Sequence, residues 1–182
     1  MFPPRTARRP ASDGPRRSRA FRRAAALLVV TSIALTTSAC ELLQPESGLT
    51  LTQAKSQAQQ MEKAIAGYVP ARYVETSAQA PTGPILPCSR RTLTWSGHMT
   101  LKLKPKPDFA KILDSIVAGV KRDYGYDVSV VKRRDATPEL FIYGRYDARY
   151  TAAASVDETA FEITSRSPCF QLPEDTWTGG KF

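Results

Sequence analysis

The chain contains the stretch Thr92-Leu93-Thr94-Trp95-Ser96-Gly97-His98-Met99-Thr100-Leu101-Lys102-Leu103-Lys104, in which apolar or small residues alternate with polar ones. Successive side chains of a β-strand point to opposite faces of a sheet, so this alternation predicts a strand with one buried face. Pro105 and Pro107 end the strand, because proline cannot donate a hydrogen bond to the ladder of a sheet.

Two helices are predicted, one before and one after this strand. Residues 51–67 repeat apolar side chains at helical spacing, and they follow Thr50, which forms a capping box with Gln53. Residues 109 to about 124 follow Asp108, a favourable N-cap, and carry a broad apolar stripe of the kind that packs on a sheet. Both helices are therefore expected to bury one face.

Further strands are predicted after the second helix, at residues 126–131 and 160–166 and in the stretch between them. From Leu140 to Val156 every even position is apolar or small. This parity permits one long strand, but most strands are shorter, so a bend near Tyr146-Asp147 that makes two strands is favoured. The sequence therefore predicts an α+β fold, with two helices packed on a mostly antiparallel sheet of four to five strands.

The N-terminal region has the pattern of an export signal. Residues 1–23 carry eight arginines and one aspartate, and the uncharged apolar run at 24–37 is shorter than the roughly 20 residues of a membrane-spanning helix. The run ends at Thr37-Ser38-Ala39-Cys40, which resembles the lipobox of bacterial lipoproteins and implies that Cys40 is acylated after cleavage. A plain secretory signal is the alternative, and both the general secretory and the twin-arginine routes stay open.

The chain is accordingly divided into four parts. Residues 1–39 are a signal peptide that is removed, 40–48 a tether, 49–169 a single α+β domain and 170–182 a loosely packed tail. Within the domain, the proline-rich residues 76–87 are predicted to form a surface loop. We expect the protein on the outer face of the cell membrane, held there by its lipid.

The charge of the chain lies mainly in the part that export removes. The full chain has a formal net charge of +9, and its first 39 residues contribute eight arginines against one aspartate. The remaining 143 residues therefore carry only about +2. Nucleic acid is not expected as a partner, because a strongly basic surface is the main sequence signal for it.

The three cysteines suggest one disulfide. If Cys40 is acylated, Cys88 and Cys169 remain, and an oxidising compartment permits them to pair. Each lies just outside a predicted strand. With two strands between residues 139 and 156 the last strand ends beside Cys88, so a bridge between Cys88 and Cys169 requires a reversal of the chain close to Asp147.

The chain resembles the small, uncharacterised lipoproteins common in actinobacteria, Streptomyces-like genera especially. The resemblance covers most of residues 24–169. It rests on the lipobox, the first helix, the cysteine before a Trp-bearing strand, the segment Tyr124-Gly125-Tyr126-Asp127-Val128 and the terminal Ser167-Pro168-Cys169. It implies no catalytic or binding residue for this chain.

A possible binding surface is predicted at Phe141, Tyr143, Arg145 and Arg149. Their odd numbers place them opposite the inward face of the strands, and aromatic and arginine side chains are enriched in contact surfaces. The functional interpretation is a surface for an anionic or carbohydrate partner. In the alternative, a helix or the 76–87 connector covers these side chains.

Catalytic and metal sites are not predicted. His98 is the only histidine, and the acidic residues fall at caps, turns and exposed helix positions. We expect no enzyme activity, no cofactor and no metal. The predicted function is an envelope-anchored lipoprotein with a binding or scaffolding role, its partner being an envelope protein or an anionic wall polymer. A wall-acting hydrolase, or an inhibitor of one, is the alternative.

Overall fold

Two long helices lie where the sequence predicts them. The computed structural model describes residues 47–173 and 176–182, with α1 at Leu51–Gly67, α2 at Phe109–Tyr124 and a 3₁₀ turn at Ala71–Tyr73. The capping box of Thr50 and Gln53 opens α1. Asp108 accepts a hydrogen bond from the amide of Lys111 at 3.1 Å at the start of α2, and Gly125 ends that helix with φ 64°.

Seven strands form one open sheet. They are β1 (Val74–Gln79), β2 (Ile85–Pro87), β3 (Leu93–Leu103), β4 (Asp127–Lys132), β5 (Pro138–Tyr143), β6 (Arg149–Ala154) and β7 (Ala160–Arg166). Their order is β1-β3-β7-β6-β5-β4, with β2 paired to β3 beyond the end of β1, and the paired strands run antiparallel. The predicted fold class, two helices on a mostly antiparallel sheet, is confirmed.

The sheet has seven strands rather than four or five because residues 76–87 are not a plain loop. Most of β1 falls in this stretch and pairs with residues 99–103, and β2 pairs with the start of β3. Most side chains of β1 are exposed, so the strand lacks the apolar alternation by which the sequence reveals a half-buried strand. Both strands are held mainly by backbone pairing to the long β3.

Both helices pack on the same face of the sheet. The main core joins Met61 and Ile65 of α1 and Ile112, Ile116 and Val120 of α2 to the inward side chains of β3, β5, β6 and β7. On these strands the inward residues are those that the parity of the sequence predicts, including Leu101, Leu140, Ile142, Phe161 and Ile163. The opposite face of the sheet therefore points away from both helices.

A second apolar cluster holds both ends of the C-terminal segment, residues 170–182. Trp95 and Phe170 are fully buried together with Ala54 and Ala58 of α1. Phe170 exchanges backbone hydrogen bonds with Leu93, and the indole of Trp95 donates to the carbonyl of Phe182 at 3.0 Å. The segment 170–182, predicted as a loosely packed tail, is thus attached near both of its ends. The attachment is favourable because it keeps aromatic rings away from water.

The chain reverses at residues 145–148, as predicted. The amide of Ala148 donates to the carbonyl of Arg145 at 3.1 Å, and the two central residues, Tyr146 and Asp147, have φ values of 54° and 58°. Two positive φ values are the mark of a type I′ turn, which suits the twist of the antiparallel strands that it joins. Cys169 lies beside this turn and donates its amide to the carbonyl of Tyr146 at 3.0 Å.

The predicted disulfide between Cys88 and Cys169 is confirmed, with a Cα–Cα distance of 6.1 Å and a sequence separation of 81. It closes the end of the sheet at which β3 begins and β7 ends. We call this end, which also carries the 145–148 turn, the disulfide end.

Residues 1–46 lie outside the described part of the chain. The predicted signal peptide, Cys40 and most of the tether fall there, so these stay predictions. Within residues 47–173 and 176–182, no helix has both the length and the apolar composition needed to cross a bilayer.

Candidate functional site

The face of the sheet opposite the helices, called here the outer face, carries rows of polar and aromatic side chains. Strand register sets the row nearest the disulfide end, in which Asp127 lies opposite Tyr143, Tyr143 opposite Arg149 and Arg149 opposite Arg166. In the next row Phe141 lies between Ser129 and Thr151. Directly opposed residues have Cβ atoms about 5 Å apart, so each row is a continuous strip of side chains.

Three of the four predicted surface residues meet on this face. Tyr143 is 46% exposed, Arg149 is exposed and Phe141 is half-buried among its neighbours. The segment that was expected as a possible cover, residues 76–87, forms β1 and β2 beside β3, two strands away from β6. Both helices pack on the other face. The described part of the chain therefore leaves this strip open.

Arg166 belongs to the same strip, although it is not among the predicted surface residues. Its position was implied by the inward Phe161 and Ile163, which place the even residues of β7 outward. Arg149 and Arg166 are directly opposed, which is unfavourable for two like charges. Neither forms an ion pair with another described residue. Both line a cleft of 130 Å³ together with Thr94, Asp147, Pro87 and Cys88.

Arg145 does not join this strip, and here the prediction was wrong. The parity of β5 ends with the strand at Tyr143, and the left-handed backbone of Tyr146 and Asp147 redirects the chain after it. Arg145 instead lines a separate cleft of 320 Å³ on the side of α1. The face of a turn residue cannot be extrapolated from the strand before it.

We call this separate cleft the tyrosine cleft, because four tyrosine rings line it. Tyr124 and Tyr126 flank Gly125 at the end of α2, with ring centroids 5.5 Å apart, and the other two rings are those of Tyr146 and Tyr150. The remaining lining comes from α1 and the disulfide end: Gln57, Gln60, Met61, Arg145, Ala148 and Pro168. Strand parity assigns Tyr146 and Tyr150 to an inward face, but it does not predict a cleft.

A buried carboxylate lies between α1 and the sheet. Glu62 is fully buried; its oxygens accept hydrogen bonds from the hydroxyl of Ser165 and from the Gln79 amide, the latter at 2.7 Å. Burial raises the pKa of Glu62 above its ordinary value of 4.5, and these hydrogen bonds oppose part of that increase. Each oxygen thus accepts one hydrogen bond from the protein, and the arrangement fits a structural role.

The disulfide has one acidic neighbour. An oxygen of Asp147 and the sulfurs of Cys88 and Cys169 all lie within 4.8 Å of one another. Both sulfurs are bonded to each other. They are therefore not available as the thiolates that transition metals bind.

Comparison with known proteins gives no relative for this chain: no protein-family model, no curated protein and no solved structure matches it. The outer-face strip and the tyrosine cleft are thus defined by the geometry of this chain alone.

Proposed function

We propose that this protein is an envelope-anchored lipoprotein that binds an anionic polymer of the cell envelope without enzymatic turnover. The binding surface is the outer-face strip of Tyr143, Arg149 and Arg166. The anchor is the acylated Cys40, supported by the lipobox-like sequence and by the resemblance to small actinobacterial lipoproteins.

The opposed pair of Arg149 and Arg166 carries this proposal. The two arginines occupy directly opposed positions on neighbouring strands, and neither has a carboxylate partner among the described residues. An anionic group placed between them removes their repulsion and accepts several charge-assisted hydrogen bonds. The cleft of 130 Å³ that both residues line gives such a group a recess.

The aromatic part of the strip favours a polymer over a free ion. Tyr143 is adjacent to Arg149 and Phe141 is in the next row, so the arginine pair continues into an aromatic surface. Aromatic side chains contribute contact area at a low cost in conformational entropy. A chain molecule can contact the charged recess and the rings together.

The first experiment tests the binding surface. The double change Arg149→Gln and Arg166→Gln should weaken binding of long-chain polyphosphate or poly-glutamate about tenfold and flatten its dependence on salt. The two polymers distinguish a preference for phosphate from one for carboxylate. The melting temperature should stay equal or rise, because the change also removes a repulsion between like charges.

A matched control for this experiment removes the same charge elsewhere. Lys121→Gln with Arg134→Gln neutralises two exposed cations, one on α2 and one in the β4–β5 turn. This pair should bind the polymers nearly as well as the parent protein does. Equal weakening by both double variants would mean nonspecific attraction by net charge and would contradict the proposed site.

The second experiment tests the anchor. Mature protein from cells grown with a clickable palmitate analogue should be labelled and should partition into detergent, and Cys40→Ala should abolish both. The double variant Cys88→Ser and Cys169→Ser serves as the thiol control and should keep the label. Equal labelling of Cys40→Ala and the parent protein would refute the lipoprotein assignment.

A further inference from the structure

The tyrosine cleft has the character of a ligand site. Its volume of 320 Å³ falls in the range of pockets that hold small molecules, and its walls combine aromatic rings with a few polar side chains. It lies on the side of the sheet that the helices cover, whereas the strip of Arg149 and Arg166 lies on the other side. The two sites are therefore separate surfaces.

Tyr150 is buried in the wall of this cleft, and its hydroxyl has no hydrogen-bond partner among the described residues. Only 3% of the residue is exposed, and its hydroxyl makes no hydrogen bond to another described residue. Every fully buried side-chain nitrogen or oxygen of the described chain does have a partner, so this hydroxyl is at least slightly exposed, and Tyr150 lines the cleft. A tyrosine hydroxyl is protonated at neutral pH, and burial raises the pKa of Tyr150 further, so this hydroxyl is available as a donor.

Tyr146 lines the cleft from a backbone conformation that is unfavourable for a tyrosine. Its φ of 54° is left-handed, which costs a non-glycine residue about 1 kcal/mol or more. Asparagine and glycine are the residues that type I′ turns prefer at this position. The residue is 43% exposed, so a large part of the ring faces the cleft and not the core.

The charge of the lining indicates which ligands fit. Arg145 is the one charged side chain among the described residues that line the cleft, and it forms no ion pair with any of the described residues. A cage of tyrosines can also hold an organic cation, but the positive charge of Arg145 opposes that. The tyrosine hydroxyls and the amides of Gln57 and Gln60 both donate and accept hydrogen bonds, which suits a ligand rich in hydroxyl groups.

We propose that the tyrosine cleft binds a sugar ring that carries a carboxylate. A tyrosine ring stacks on the apolar face of the sugar, Tyr150 donates to one of its hydroxyls, and Arg145 binds its carboxylate through two parallel hydrogen bonds. This inference does not depend on the outer-face strip.

The experiment titrates the full protein with digalacturonate, with a neutral galactose disaccharide and with choline, followed by calorimetry or NMR. Digalacturonate should bind tightest. Tyr150→Phe removes one hydroxyl and should weaken that binding about fivefold, the size of one hydrogen bond. Arg145→Gln should bring the affinity for digalacturonate close to that for the neutral disaccharide.

Tyr146→Gly separates binding from folding. The change relieves the left-handed strain but removes the buried part of the ring, so the melting temperature should change little, while the loss of the ring should weaken binding of digalacturonate about tenfold. A tyrosine with only a structural role would leave this binding unchanged. Ala136→Gly, which relieves a φ of 65° in the β4–β5 turn outside the lining of the cleft, is the matched control and should leave the binding of digalacturonate unchanged.

Three results would overturn the inference. They are tighter binding of choline than of digalacturonate, equal binding of the neutral disaccharide and of digalacturonate, and digalacturonate affinity that Tyr150→Phe and Tyr146→Gly leave unchanged. None of them bears on polyphosphate binding, because polyphosphate has no sugar ring.

Discussion

Glu62 places a titratable carboxylate between α1 and the sheet, surrounded by the hydroxyl of Ser165, the amide of Gln79 and, further away, His98 and Lys63. The backbone of β3 packs closely against this carboxylate. A Cβ atom at Gly97 of β3 would lie 2.2 Å from a Glu62 oxygen. The site thus needs glycine on the strand in order to admit the carboxylate.

Glu62→Gln should make the protein more stable at neutral pH. Burial raises the folded-state pKa of Glu62 above 4.5, so the folded chain holds this proton more tightly than the unfolded chain does. The stability that the protonated group contributes is therefore fully present below about pH 4.5 and is lost as the pH rises through the folded-state pKa. Glutamine does not titrate, and its amide can still bond to Ser165 and Gln79.

Thermal melts of the parent and of Glu62→Gln between pH 4 and pH 8 measure this effect. The difference in melting temperature in favour of the variant should grow with pH. Glu162→Gln, which changes an exposed residue of β7, should follow the parent throughout. A constant difference across the range would mean that Glu62 does not titrate differently in the folded and unfolded states.

At the scale of elements, the end of α1 and the middle of α2 approach closely through one glycine. A Cβ atom at Gly119 would lie 2.3 Å from the ring of Tyr68, and the hydroxyl of Tyr68 donates to Asp123 at 2.7 Å. That hydrogen bond restrains the ring. Gly119→Ala should therefore destabilise the fold by about 1–3 kcal/mol, the usual cost of overpacking.

The control is the other helical glycine. A Cβ atom at Gly67 meets no atom within 4 Å, and alanine is the better helix former, so Gly67→Ala should stabilise by up to about 1 kcal/mol. Urea unfolding of both variants measures the two changes. Effects of equal sign would show that backbone propensity, and not contact with Tyr68, governs position 119.

Elements with a strong local signal could be predicted from the sequence, and those held by long-range pairing could not. The capping box at Thr50 and the N-cap at Asp108 gave the helix starts because the signal lies within four residues. By contrast, β1 is a strand because β3 pairs with it, and its own side chains are mostly exposed. Secondary structure formed by a neighbour leaves little trace in local composition.

The candidate sites follow the same division. Strand parity predicted the outward Tyr143 and Arg149, since alternation holds along a whole strand. The tyrosine cleft brings together α1, the end of α2 and the 145–148 turn, which are far apart in sequence. Composition alone does not show that Tyr124 and Tyr150 share one cleft.

For the molecule as a whole, the disulfide closes a long loop. Linking residues 81 apart should stabilise the fold by about 4.5 kcal/mol on the chain-entropy model, a large share of the 5–15 kcal/mol typical of a domain. Replacing Cys88 and Cys169 together by alanine should lower the urea midpoint accordingly. The parent should lose its advantage on addition of reductant, and the double variant should not respond. A midpoint unaffected by either treatment would mean that the bridge adds nothing to stability.

The contact of Ser47 with Cys169 limits how far the domain can stand from the membrane. The Ser47 hydroxyl donates to the carbonyl of Cys169, so the described chain begins at the disulfide end. If Cys40 carries the lipid, the seven residues from there to Ser47 reach at most about 25 Å even when fully extended. This short tether then keeps the disulfide end close to the membrane, facing the lipid headgroups.

That orientation brings other features of the disulfide end close to the bilayer surface. Arg90 and Arg91 lie exposed beside Cys88, and anionic lipids attract each arginine by about 1 kcal/mol. The tyrosine cleft and the pair of Arg149 and Arg166 lie at this same end. Both proposed sites would then bind ligands within a few nanometres of the lipid surface. Polymer chains in more distant layers of the envelope would be too far away to bind.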